Sequence, residues 1–208
     1  MKRLSVLLGV LLMVIGLALS SNAALVDMND GTIYDTDTQL SWLKDVNYAM
    51  TSGYDADGRM TWAASVAWAA SLNDSGGFAG LTGWRLPNAD LSCYGYNCIN
   101  SEMGHLYYAE LGSTAGGPLN NTGPFTNLQE NFYWSRTPYS PTPGHALYLG
   151  FMNGSQGGGE MASSTFAWAV TSARATPSPV GYNPAWLVIT LISLTLIGGY
   201  LLRRRMAR

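Results

Sequence analysis

An α+β fold is predicted by the order in which two periodicities follow one another along the chain. Short strand signals at 32–34 and 40–43 are followed by two helical stretches, 62–72 and 102–111. Aromatic strand signals then close the chain at 132–135, 146–151 and 166–170. Composition agrees: 47% of the 208 residues are hydrophobic and only 12% charged, a balance that buries a core instead of staying disordered. Glycine is abundant, 24 residues, but shows no three-residue period, which excludes collagen. Two cysteines exclude a disulfide-dense miniprotein and a four-cysteine zinc site.

Each element has a local reason. Thr32-Ile33-Tyr34 and Leu40-Ser41-Trp42-Leu43 are β-branched or aromatic runs, and Asp35-Thr36-Asp37-Thr38 between them has turn chemistry. A second acidic turn is Asp55-Ala56-Asp57-Gly58. Thr61 caps a predicted helix from Trp62 to Leu72, with Trp62, Val66, Ala69 and Ala70 expected on its buried face. Trp84-Arg85-Leu86 reads as a short strand closed by Pro87. Ser101 is expected to cap the second helix, Glu102 to Leu111, with Met103, Leu106 and Tyr107 facing one way and Gly112 stopping it. The run Phe166 to Val170 reads as one closing strand. Six tryptophans in the span 24–176 predict a core built on aromatic rings.

The two ends read as addresses. Lys2 and Arg3, the apolar run Leu4 to Leu19 and the small residues Ser21 and Ala23 predict a secretory signal over 1–23. Residues 185–202 carry no charge and would measure about 27 Å as a helix, enough for a membrane-spanning segment. Arg203, Arg204, Arg205 and Arg208 follow, and flanking arginines stay on the cytoplasmic side. The predicted organisation is therefore a signal peptide 1–23, an exported domain 24–176, a proline-containing linker 177–184, a transmembrane helix 185–202 and a basic cytoplasmic tail 203–208.

The exported body holds five basic and all thirteen acidic residues, a net charge of −8. So acidic a body repels nucleic acid and anionic polysaccharide and favours cations or neutral partners.

Gly83-Trp84-Arg85-Leu86-Pro87, followed by Ser101-Glu102-Met103 opening a helix, resembles the Trp-Arg-Leu-Pro-Thr segment of the Lcl C-terminal domain family, a bacterial domain of unknown function. Tyr34 to Asp37, Trp42 to Asp45, Tyr133 to Thr137 and Trp168 to Val170 are similar to its other segments, so that the likeness spans about 24–174. It implies a C-type-lectin-like domain, two short helices with antiparallel β-hairpins, and no enzymatic activity. Some relatives sit on adhesins and bind sulfated glycans, a ligand that the charge of −8 disfavours here. The C-terminal tail resembles the sorting signals of exosortase-type transpeptidases, with Thr176-Pro177-Ser178-Pro179-Val180 in place of the commonest Pro-Glu-Pro signature. A sorting transpeptidase and the membrane are the partners that this resemblance implies.

Cys93 and Cys98 lie close enough in sequence, in an exported chain, to be expected as a disulfide. Asp35 and Asp37, with Asp55 and Asp57, are candidate calcium ligands, although none of these turns fits an EF-hand loop and each suits ordinary Asp turn chemistry equally. His105 and His145, the only histidines, have no ligand or triad neighbour in sequence, and there is no nucleophile elbow, zinc-protease or phosphate-loop motif. Tyr94, Tyr96, Asn97, Tyr139, Asn153 and Gln156 fall in predicted loops, where aromatic faces and amides suit a neutral sugar. The expected function is a non-enzymatic surface module that binds a glycan or a protein. The alternatives are a structural envelope or matrix protein without a discrete ligand, and a hydrolase using two of Glu102, Glu110, Glu130 and Glu160.

Overall fold

A computed structural model describes residues 25–174. The signal peptide, linker, tail helix and basic tail expected from the sequence lie outside these residues. Among the described residues no helix is long and apolar enough to cross a membrane.

The architecture is α+β, with two sheets and a few short helices. The first sheet has the antiparallel order β1 (Leu25–Asp27), β2 (Thr32–Asp35), β3 (Leu40–Leu43) and β9 (Val170–Thr171). Every residue of β2 and β3 is buried, so these strands are covered on both faces. The second sheet runs β4 (Arg59–Met60), β8 (Thr165–Phe166), β5 (Phe132–Pro138), β6 (His145–Gly150) and β7 (Gln156–Glu160). Its pairs are antiparallel except β5 with β8, which run parallel through Tyr133 and Phe166.

Residues 166–170 do not form one strand. Phe166 ends β8 in the second sheet and Val170 begins β9 in the first, and buried Ala167-Trp168-Ala169 carries the chain between them. Trp168 packs on Trp42 of β3 (ring centroids 4.9 Å), on Phe125 (4.7 Å) and on Phe151 (5.7 Å), and its indole N–H donates to the Leu43 carbonyl at 2.8 Å. One residue thus joins the two sheets, and its polar atom is satisfied in the core.

Among the described residues three α-helices occupy the connections: α1 (Tyr48–Thr51), α2 (Trp62–Ser71) and α3 (Glu102–His105). Helix α2 starts as expected, with the Thr61 hydroxyl accepting from the Ala64 N–H. Its buried face differs from the expected one. Ser65, Trp68 and Ala69 point inward while Val66 and Ala70 are exposed. The bulky Trp68 takes the core position, and Trp62 is only half-buried, its indole N–H donating to the Ser135 carbonyl.

Two further expectations are corrected. Trp84 to Leu86 makes one bridge, Arg85 with Val170, in place of a strand. The Asn73 side chain takes the Trp84 N–H and carbonyl that a ladder would have used. Ser101 precedes α3 but does not cap it, because its hydroxyl bonds elsewhere. Beyond His105 the helix widens to π geometry over Leu106–Glu110, with the Leu111 N–H reaching back to the Leu106 carbonyl. Met103, Leu106 and Tyr107 are buried, as expected.

Candidate functional site

The loop between Pro87 and α3 is the most built feature of the surface. Cys93 and Cys98 form a disulfide, Cα–Cα 5.5 Å, and Cys98 is buried beneath the loop. Gly104 of α3 lets the loop approach the helix: a Cβ there would stand 2.0 Å from the Cys98 carbonyl oxygen. On the other side the loop hangs from the first residue of β7. Gly95 and Gln156 exchange backbone hydrogen bonds at 2.8 and 2.6 Å. The Gln156 amide nitrogen donates to the carbonyls of Asp90 (2.8 Å) and Cys93 (2.7 Å), and its carbonyl oxygen accepts from the Ser101 hydroxyl at 2.5 Å.

Gln156 therefore is not at the ligand surface where the sequence reading placed it. It is buried, and it shapes the loop from beneath. Asn153 is half-buried and engaged in its own turn, its side-chain oxygen accepting from the N–H and hydroxyl of Ser155. Asn97 is exposed with φ 60°, and its N–H donates to the Tyr108 hydroxyl, which donates on to the Gly154 carbonyl. Tyr94 (64% exposed) and Tyr96 (48%) stand out from the loop, and Tyr139 is half-buried with its ring 5.8 Å from that of Tyr94. Leu91 and Ile99, which sequence reasoning did not single out, are 55% and 56% exposed on the same loop. Large side chains thus stand outward from a braced backbone as an exposed, largely apolar patch.

Arg85 carries a structural duty. It makes a bidentate pair with Glu102 at 2.7 and 2.8 Å, and Glu102 also accepts from the Asn88 N–H and side-chain amide. Both Glu102 oxygens are thereby engaged.

The aspartate turns behave as turns. Asp55 accepts from the N–H groups of Asp57 and Gly58, and Asp57 from that of Arg59. Asp35 accepts from the N–H groups of Asp37 and Thr38 and from the Thr38 hydroxyl. Asp35 does more, because the fold brings it to His105 and Glu110. One donor atom from each of the three lies within 4.8 Å of the others, and among the described residues no other trio of such side chains gathers this closely. Burial, reinforced by the negative charge of Asp35, pushes the Glu110 carboxyl above the usual carboxylate range. No sequence motif announces this cluster.

Two clefts of about 170 Å³ each, one beside Lys44 and Tyr48 and one between Arg59 and Tyr148, are smaller than the roughly 300–1,000 Å³ of sites that enclose a small molecule.

An α+β domain with a disulfide-braced surface loop suits the extracellular or envelope setting in which such bonds persist. The chain belongs to the Lcl C-terminal domain family, whose sequence pattern matches residues 31–171. No curated protein and no solved structure matches it.

Proposed function

We propose that this chain is an exported, membrane-tethered binding module without enzymatic activity, and that the loop 91–99 is its recognition face for a neutral glycan. The observation that carries the reading is the exposure of Tyr94 and Tyr96 on a loop whose backbone is fixed by the disulfide and by Gln156. Rigid exposed tyrosines offer contact area at low entropic cost. The net charge of −8 favours an uncharged ligand over an anionic one. A C-type-lectin-like reading of the fold is supported by strands from both ends of the domain meeting in one sheet and by the late β5–β6–β7 hairpins. The uncharged segment 185–202 with its arginine cluster supports anchoring, with a sorting transpeptidase as the partner that would process it.

The test is a glycan array probed with wild-type protein and with Tyr94→Ala/Tyr96→Ala. Binding of neutral glycans by the wild type alone supports the reading. Equal binding by both moves the ligand face elsewhere, and no binding by either favours a structural envelope protein. A hydrolase finds less support, because Glu102 is consumed by Arg85 and Asn88.

A further inference from the structure

We propose that Asp35, His105 and Glu110, with Asp37 beside His105 as a fourth donor, form a binding site for a divalent transition cation, zinc above all. The donors come from two places. Asp35 ends β2 and Asp37 lies in the turn after it, while His105 ends α3 and Glu110 ends the π segment that follows. Five residues apart on an α-helix, two side chains diverge by about 140° around the axis. The π geometry brings them to one side, and π segments recur at functional sites.

The distances suit a metal. His105 Nε2 lies 3.1 Å from Asp37 Oδ2 and 3.4 Å from Glu110 Oε1. Donor atoms bound tetrahedrally at ~2.0–2.1 Å from zinc stand about 3.3 Å apart. Yet neither contact has hydrogen-bond geometry: His105 Nε2 and Glu110 Oε1 are both buried atoms without a hydrogen-bond partner. The Glu110 side chain is only 4% exposed, and a carboxylate oxygen is rarely left buried and unpartnered. A cation between these atoms satisfies both at once. Asp35 is buried and already oriented by the Thr38 hydroxyl and two backbone N–H groups, the kind of outer support that metal-binding carboxylates have. Asp37, half-exposed, leaves a way in from solvent. One imidazole among carboxylates selects a borderline metal over calcium, which takes oxygen-only shells.

Bound there, the cation ties the β2–β3 hairpin to the segment after α3. The competing arrangement is a protonated His105 paired with the carboxylates and no metal. The full chain, solubilised in detergent and freed of metal by chelator, distinguishes the two. Calorimetric titration with zinc is expected to give one site per chain, and cobalt(II) the visible absorption of a four- or five-coordinate ion. His105→Gln and Glu110→Gln should each weaken zinc binding at least 50-fold, whereas His145→Gln should leave it unchanged and a tenfold excess of calcium should not compete. Absence of saturable zinc binding by the wild type, or affinity unaltered by His105→Gln, overturns the proposal. Should the substitutions at buried positions prevent folding, Asp37→Asn decides: a 5-fold or greater loss of affinity supports the site, and none overturns it.

Discussion

The Ser101 hydroxyl donates to the side-chain carbonyl of Gln156 at 2.5 Å, joining the start of α3 to the start of β7 beneath the disulfide loop. The amide nitrogen of Gln156 is spent on the carbonyls of Asp90 and Cys93, so all its polar atoms are matched. Such a network resists partial removal, because each lost partner leaves another buried group unsatisfied. Gln156→Leu is expected to destabilise the domain by about 2–4 kcal/mol. Urea unfolding measures the loss, and hydrogen exchange should show the 93–98 amides opening more readily than in the wild type.

The disulfide closes a very short loop, so its contribution to global stability is modest. Cys93→Ser/Cys98→Ser should lower the unfolding free energy by about 2 kcal/mol. The larger effect is expected on recognition: fewer glycans retained on the array, or weaker retention, with the fold intact by circular dichroism. Undiminished glycan binding in the double variant would detach the platform from its brace.

Trp168 is buried where both sheets meet. Trp168→Ala removes a large ring and leaves the Leu43 carbonyl without its donor, at a cost of about 3–5 kcal/mol. Trp168→Phe keeps most of the packing and should cost less. Equal melting temperatures for the two variants would show that the hydrogen bond, lost in both, sets the whole loss.

Burial raises the phenol pKa of Tyr133 strongly, and those of Tyr107 and Tyr148 in the same direction. In the unfolded chain these phenols ionise near pH 10. A raised folded pKa means that the native state keeps its protons longer, so this stabilisation is complete below pH 10 and is lost as pH rises beyond it. Ultraviolet titration should show Tyr133 ionising only together with unfolding, and Tyr107 and Tyr148 later than the exposed tyrosines. All twelve titrating near pH 10 in the folded protein would contradict the burial.

The β2–β3 hairpin and α2 were legible because their signals are local: β-branched and aromatic runs around an Asp turn, and a Thr cap. Strand β7 was not. Gln156-Gly157-Gly158-Gly159-Glu160 carries no strand pattern, and glycine weakens strands. It forms because β6 offers a ladder, and because the rings of Tyr148, Tyr139 and Trp134 lie so close that a Cβ on Gly157, Gly158 or Gly159 would meet them at 2.7–3.2 Å. The division of 166–170 between two sheets is likewise set by the partners waiting on either side. At the candidate sites, the disulfide and the exposed tyrosines could be read from sequence and export. Gln156 reads as a surface residue in the sequence because nothing there signals its strand. The cluster around His105 depends on a π segment and on a turn some seventy residues earlier, so no spacing rule reveals it.

The bridge between Arg85 and Val170 also has a mechanical meaning. The chain leaves the described domain just beyond β9, where Val170 shares its backbone hydrogen bonds with Arg85. Arg85 grips Glu102, the neighbour of Ser101, and Ser101 holds Gln156 under the loop. Were the tail anchored as we propose, a pull along it would meet β9 and, through Val170, Arg85, Glu102 and Ser101, the support of the 91–99 loop.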